Sequence, residues 1–398
     1  MIPADHLPLA STADATRGPL ALLAGVRVID TTTSVAGPYA TLLLADYGAD
    51  VVKIERAPAG DDARAWGPPF LDGESLWFLA MNRNKRSLAL DIATPEGRAT
   101  LEALVSKADV FVTNQVGASQ SKLGIDPDRL AALNPALVHV SITGFGTEGA
   151  RSHLPCYDLI AEGYSGVMDL TGELDSGPQK IGTPAADLLS GMDAAMAVIA
   201  ALHERKSSGK GHRIDVSMVE SMTRFMSARI VPYLGSGELA RRSGARDSVI
   251  AVYQVFETAD APITLGLGNE GLWRRFWEAI GQAERGRDPA FDSNVKRRAA
   301  RAQIVAEIEA ILRTRPRAAW LRIFAEHRIP AGPINRVEEV GADPELQARG
   351  LVYAIERNGV RLPQVGLGVH VDGSAATQRR TPPRLGEHNA EVLKDWLG

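Results

Sequence analysis

Short apolar runs separated by longer amphipathic stretches set the texture of the first half of the chain. Val26–Asp30, Asp50–Ile54, Asp109–Thr113 and Leu137–Thr143 are such runs, with Ser87–Asp91 a fainter one. Brief apolar runs bounded by turn residues predict buried strands. Between them, Gly37–Tyr47 and Pro95–Lys107 carry helical patterns. Pro38 falls in a first helical turn, where its missing N–H has no partner to lose, and Thr94 is placed to cap the second helix. Strands alternating with helices in this way predict an α/β fold with a parallel, doubly wound sheet.

The longest predicted helix is Ala185–Lys206, with Thr183 as its expected cap and Pro184 at its first position. Its middle, MDAAMAVIAAL, is apolar on most faces and predicts a buried helix. His203, Arg205 and Lys206 suit its negative end. A turn at Ser207–Gly211, a strand at Arg213–Val216 and one helix over Ser217–Pro232 follow. After the glycine- and arginine-rich stretch Gly235–Asp247 the pattern changes. Val252–Phe256 and Pro262–Leu267 predict an antiparallel pair, and Glu270–Ile280, Arg298–Arg313 and Pro316–His327 predict helices. From Gly332 short strands and loops return, and a last helix begins near Glu387. The expected division is a loosely held tail over 1–19, a large domain over 20–234, a smaller α+β domain over 235–330, and a C-terminal return to the large domain over 331–398.

Composition narrows the function classes. A chain of 398 residues exceeds what one small core organises. A net charge of −4 excludes a globally basic nucleic-acid binder. The apolar run Ala194–Leu202 is shorter than the roughly 20 residues of a spanning helix, so no membrane partner is expected. The N-terminus lacks the basic and apolar regions of a secretory signal. The single cysteine, Cys156, leaves no intrachain disulfide framework and agrees with an expected cytoplasmic location. The eight histidines show no ligand spacing, so no metal site is expected.

Two motif matches carry little. Gly144-Phe-Gly146-Thr-Glu-Gly149 has the letters of a dinucleotide loop, but Arg151–Pro155 follows it where a helix should open. Ser119-Gln-Ser-Lys122 fits S-x-x-K without the other elements of that chemistry. Asp187 is different. It lies in the first turn of the long helix, where the positive helix end favours a charged carboxylate, and such a group in a partly apolar pocket can attack an activated acyl group. Lys53-Ile-Glu-Arg56 and Asn82–Ser87 place cations near strand ends, suited to phosphates.

The segments Val26–Asp30, Val35-Ala-Gly-Pro38, Gly48–Glu55, Gly60-Asp61 with Arg64, and Asn84-Lys85-Arg86-Ser87 continue into Leu90-Asp91, Gly97, Leu133-Asn-Pro135 and Ser141–Gly144. Tyr157-Asp158, Ser165-Gly166, Thr171-Gly172, Asp187, Gly191, Ala200–Leu202, Arg205 and Gly209–Gly211 complete the series. Together they resemble the class III coenzyme A transferases, the family of formyl-CoA transferase, the carnitine-CoA transferases and alpha-methylacyl-CoA racemase. The resemblance is dense over 22–225 and thin beyond.

It implies a Rossmann-like large domain built from both chain ends, a smaller domain inserted between, and two chains interlocked as a homodimer. It implies that Asp187 is the nucleophile in covalent transfer of coenzyme A between an acyl-CoA and a carboxylic acid, with backbone N–H groups stabilising the oxyanion. Coenzyme A thioester is then a substrate, with no permanently bound cofactor. Arg56 matches an adenosine-phosphate contact, and Asn84, Lys85 and Arg86 a coenzyme A segment. Val35 and Ala36 match the pantetheine path, Asn114 a further contact segment, and Lys122 a position often held by arginine. Tyr157 stands where the racemase branch has histidine. Ser243–Val249 replaces the glycine loop of formyl-CoA transferase, and Thr143 replaces a lysine. These departures favour a substrate pair other than formate and oxalate. Arg224, Arg229, Arg242 and Arg246 are candidates for a second acidic group, which points to a small dicarboxylic acid with succinyl-CoA as donor. An acyl-CoA racemase or epimerase, and a non-catalytic CoA-binding protein, remain alternatives.

Overall fold

The computed structural model describes residues 7–9, 20–375 and 380–398. The expected tail therefore lies outside the described residues, apart from 7–9. There the Pro8 carbonyl accepts the Ala354 N–H at 2.9 Å, and Leu9 forms a parallel bridge to Ala354. The chain forms two compact units. One comprises 1–166, 181–227 and 341–398; the other comprises 167–180 and 228–340.

The first unit is built on six parallel strands: β1 (Arg27–Asp30), β2 (Asp50–Glu55), β3 (Lys85–Ala89), β4 (Val110–Thr113), β5 (Val138–Thr143) and β6 (Arg213–Ser217). Their spatial order is β3-β2-β1-β4-β5-β6, the doubly wound order, with its switch point between β1 and β4. Period-two alternation sends neighbouring residues to opposite faces. Val28, Val51 and Val140 pack with Leu44, Ala194 and Val198 on one side, and Ile29, Val52 and Phe111 with Leu101, Leu104 and Trp396 on the other. The first layer holds α1 (Ala36–Asp46) and α4 (Ala185–Ser208). The second holds α2 (Pro95–Val105) and the C-terminal helix Asn389–Leu397. Thr94 caps α2 as expected, accepting the Gly97 N–H at 3.1 Å. In chain order, α3 (Asp158–Ser165) falls between α2 and α4.

Three predictions about helices change. Thr183 is not the cap of α4: Pro184 occupies that position and offers no side-chain acceptor. The helix is buried on one face only, through Ala194, Ala195, Val198 and Leu202, while Met192, Met196 and Ile199 form an exposed apolar stripe. An apolar sequence cannot say which faces a single chain covers. By length and composition alone α4 is long and apolar enough to cross a membrane, a test that the core helix of a globular domain also passes. It nevertheless packs tightly on α1: a Cβ at Gly191 would lie 2.7 Å from the Ala36 carbonyl oxygen. The helix predicted over Ser217–Pro232 is two, α5 (Met218–Phe225) and Ser227–Ser236, with Ser217 capping α5.

The second unit carries a three-stranded antiparallel sheet of Tyr253–Phe256, Ile263–Gly266 and Ala331–Pro333. Trp273, Phe276 and Trp277 from one helix meet Trp320 and Phe324 from another in its core. The boundaries expected at 235 and 330 fall instead at 228 and 340. Ala331–Pro333, expected in the C-terminal return, pairs with Ile263–Leu265. Residues 167–180, expected in the large domain, join this unit, where Gly244 N–H donates to the Gly172 carbonyl at 3.0 Å.

Candidate active site

Asp187 sits in the first turn of α4, half-buried. The free N–H groups of that turn are taken by Asp158, the first residue of α3. Its Oδ1 accepts the Ala186 N–H at 2.8 Å and lies 3.4 Å from the Asp187 nitrogen. Burial, and then the Asp158 charge, raise the Asp187 carboxyl from its ordinary 3.8 to about 7. The expectation that the helix end would favour its charged form is thus reversed. Asp158 already occupies the positive helix end and sets a like charge beside Asp187.

Cys156 stands close to the same carboxylate. Burial pushes its thiol up to about 11, and the Asp187 charge adds to the effect, so it stays a neutral thiol near neutrality. The chain passes close to it at Gly144, where a Cβ would lie 2.0 Å from that of Cys156. Tyr157 is 70% exposed at the N-cap of α3.

Val35 and Ala36, both buried, begin α1. The contact of the Ala36 carbonyl with Gly191, one turn beyond Asp187, brings this backbone alongside the start of α4. A separate hollow of about 370 Å³ opens beyond the ends of β1, β2 and β4, lined by Thr31, Thr33, Arg56, Gly60, Gln115 and Leu123 among others. It lies at the switch point of the sheet, the usual ligand position in this architecture. Asn114 ties the two loops there: its Nδ2 donates to the Thr33 carbonyl at 2.9 Å and its Oδ1 accepts the Thr33 N–H at 3.2 Å. Arg56 is exposed at the hollow, and Lys122, also exposed, adjoins Leu123.

Asn84, Lys85 and Arg86 are not at this hollow. Lys85 is fully buried, and its Nζ donates to Asp30 Oδ2 at 3.1 Å, the Pro38 carbonyl at 2.8 Å and Asn82 Oδ1 at 2.9 Å. An ammonium has three donors, so none is left for a phosphate. Burial lowers Lys85 to about 8 despite the opposing Asp30 charge. Arg86 grips Asp50 through two bonds, at 3.1 and 2.6 Å, and reaches Glu391 and Asp395 of the C-terminal helix. Asn84 adopts a left-handed φ of 64° and bonds Asp46 Oδ1 at 2.8 Å. The expectation of phosphate contacts from these three side chains is therefore corrected: they bind the fold together. Lys53 is likewise interior, paired with Asp61 at 2.8 Å.

Of the four arginines considered for a second acid group, three are neutralised. Arg224 pairs with Asp193, Arg229 with Asp247 at 3.2 Å, and Arg242 with Asp169 at 3.2 Å. Arg246 has no carboxylate partner among the described residues. It lines a cavity of about 530 Å³ in the second unit with Tyr253, Gln254 and Gly332. Asp158 and Cys156 are the functional candidates to which sequence reasoning gave no role at Asp187. Their separation from it along the chain hides the contact, and only the resemblance at Tyr157-Asp158 hinted at it.

A half-buried acid of raised basicity at a helix start and a cation-edged hollow at a sheet switch point are the two features of the first unit with the chemistry of a candidate site. Residues 23–389 match the model of CoA-transferase family III, and the chain belongs to that family. It is 38% identical over 380 residues to succinate–glutarate CoA-transferase of Agrobacterium fabrum, covering 94% of this chain and 95% of that protein. It is 35% identical to succinyl-CoA:glutarate CoA-transferase of Mus musculus, covering 94% and 86%. It is 34% identical to acetyl-CoA:oxalate CoA-transferase of Acetobacter aceti, covering 94% and 95%. Among solved structures, a CAIB/BAIF family protein from Brucella suis superposes with a TM-score of 0.82 at 36% identity, covering 94% of this chain and 98% of that one. A protein from Mycobacterium tuberculosis gives the same TM-score at 26% identity, covering 94% and 99%. The protein is a CoA-transferase, an enzyme that moves coenzyme A between an acyl-CoA and a carboxylate.

Proposed function

We propose that this enzyme transfers coenzyme A from a dicarboxylic acyl-CoA, succinyl-CoA foremost, to a second small dicarboxylic acid through covalent intermediates on Asp187. The Asp187 carboxylate attacks the thioester carbonyl, and coenzyme A leaves as thiolate, giving a mixed anhydride. The thiolate then attacks the Asp187 carbonyl of that anhydride, releasing the donor acid and forming an aspartyl-CoA thioester. The acceptor carboxylate attacks this thioester, freeing the thiolate and forming a second anhydride. The thiolate finally attacks the acceptor's acyl carbonyl, producing the new acyl-CoA and free Asp187. Each step exchanges one activated acyl bond for another, so the thioester energy is conserved.

The observation that carries this reading is the Asp187 carboxyl raised to about 7 by burial and by Asp158. A carboxylate of raised basicity is a stronger nucleophile once ionised, and near neutrality a large share of it is ionised. Arg56 is assigned to the phosphates of coenzyme A, with Asn114 shaping the hollow and Lys122 at its margin. The backbone of Val35 and Ala36 is assigned to the pantetheine arm. The names of the relatives from Agrobacterium fabrum and Mus musculus, with succinate and glutarate in them, support the dicarboxylic class.

The exposed stripe of Met192, Met196 and Ile199 on α4 supports a second copy of the chain as its cover, in the interlocked homodimer. Sedimentation should then give twice the chain mass of 42.6 kDa. The test of the reaction is mass-resolved exchange between succinyl-CoA and a panel of free acids, with Asp187→Ala in parallel. New CoA esters made by the wild type and absent with the variant are expected; esters that persist with the variant would overturn the assignment of Asp187.

A further inference from the structure

The second unit holds a hollow of about 340 Å³ that the transfer reaction does not use, bordered by Arg229, Arg241, Arg242, Arg298 and Arg301. Its charge is not balanced internally. Arg229 is paired with Asp247, and Arg242 with Asp169. Arg301 is anchored by backbone carbonyls, those of Ala251 at 3.0 Å and Asp247 at 2.6 Å among them, and by no carboxylate. Arg241 and Arg298 are exposed and have no ion pair among the described residues. Glu238 is the remaining acid on the rim. Five guanidinium groups thus face three carboxylates, leaving two positive charges over. The Nε of Arg242 is buried and has no hydrogen-bond partner. Arg301 is held below the usual arginine range, by burial first and then by the charges of Arg298 and Arg246.

We propose that this hollow is a binding site for a small phosphate-bearing anion of the diphosphate type. Clustered guanidinium groups repel one another, and that cost is recovered when a multiply charged anion accepts their N–H groups. A phosphoryl group presents acceptors in several directions, which suits donors converging from separate segments, here 228–242 and 298–301. The cavity is of small-ligand size and wider than a single phosphate needs. Its arginines belong wholly to the second unit, and none of them lines the Arg56 hollow assigned to coenzyme A.

The test is calorimetric titration of the full chain with inorganic pyrophosphate, ADP and citrate at matched ionic strength. The wild type should bind pyrophosphate saturably, more weakly as salt rises. The double variant Arg241→Gln/Arg298→Gln, altered only at exposed side chains, should bind it about tenfold more weakly or worse, a loss of roughly 1.4 kcal/mol or more. Arg56→Gln should leave this binding unchanged. ADP binding as tightly as pyrophosphate, kept in Arg56→Gln and lost in the double variant, would identify a nucleotide diphosphate as the ligand, and pyrophosphate alone an inorganic one; both support the site. No saturable binding, citrate binding as tightly as pyrophosphate, or loss on Arg56→Gln but not in the double variant would each overturn it.

Discussion

The Asp158 carboxylate caps the helix that carries Asp187, accepting the Ala186 N–H at 2.8 Å while its charge bears on the Asp187 carboxyl. One acid therefore adds to the basicity that burial gives the other. If Asp187 is the nucleophile, kcat/KM should rise with pH and level off above about 7, because only the ionised form attacks. Asp158→Asn keeps the Oδ1 acceptor and removes the charge. Its pH–rate profile should move to lower pH, yet stay above the ordinary carboxylate range, because burial is the larger cause. An unmoved profile would show that Asp158 does not act on the titrating group.

The same raised value has a sign for stability. Between 3.8 and about 7 folded Asp187 holds a proton that the unfolded chain has released. Stability is therefore lost as pH rises through this window, and the penalty is complete above it. Asp187→Asn removes the penalty. Thermal unfolding should show the variant more stable than wild type by about 2 kcal/mol near pH 8, with the gap shrinking towards pH 5.

Lys85 and Arg86 should behave as parts of the frame. Lys85→Met leaves the buried Asp30 carboxylate with one ammonium fewer, and should cost about 3 kcal/mol of stability in denaturant titration. The fraction that remains folded should keep its KM for acyl-CoA. A raised KM without destabilisation would return Lys85 to the substrate.

Arg56→Ala should do the reverse. We expect unchanged stability and a KM for acyl-CoA raised by about tenfold, the loss of one charge-assisted phosphate contact. The increase should be smaller with 3′-dephospho-CoA substrates if Arg56 meets the 3′-phosphate.

Much of the frame is local and could be read from the chain. The strands Arg27–Asp30, Asp50–Glu55, Val110–Thr113 and Val138–Thr143 are runs whose neighbouring side chains both find cover, so their apolar pattern alone marks them. The cap at Thr94 is likewise a short-range hydrogen bond. Asp187 was marked by its place in a helix start and by the family pattern around it. What the sequence could not disclose was direction and distance. Lys53, Lys85 and Arg86 look like surface cations, but each is turned inward onto a carboxylate, Lys53 onto nearby Asp61 and the other two onto Asp30 and Asp50, far away in the chain. The stripe on α4 looks buried because an apolar residue reads the same in the sequence whether it is covered or exposed.

The sequence by itself determined the alternation of strands and helices, the family and the identity of the acid at the head of α4, because these depend on neighbours within a few residues. Only the tertiary structure decided which charges meet. It put Asp158 at the start of α4, turned Lys85 of β3 onto Asp30 and Arg86 onto the C-terminal helix, and left Arg56 facing open space. Electrostatic energy depends on separation and burial, and neither is a function of position along the chain.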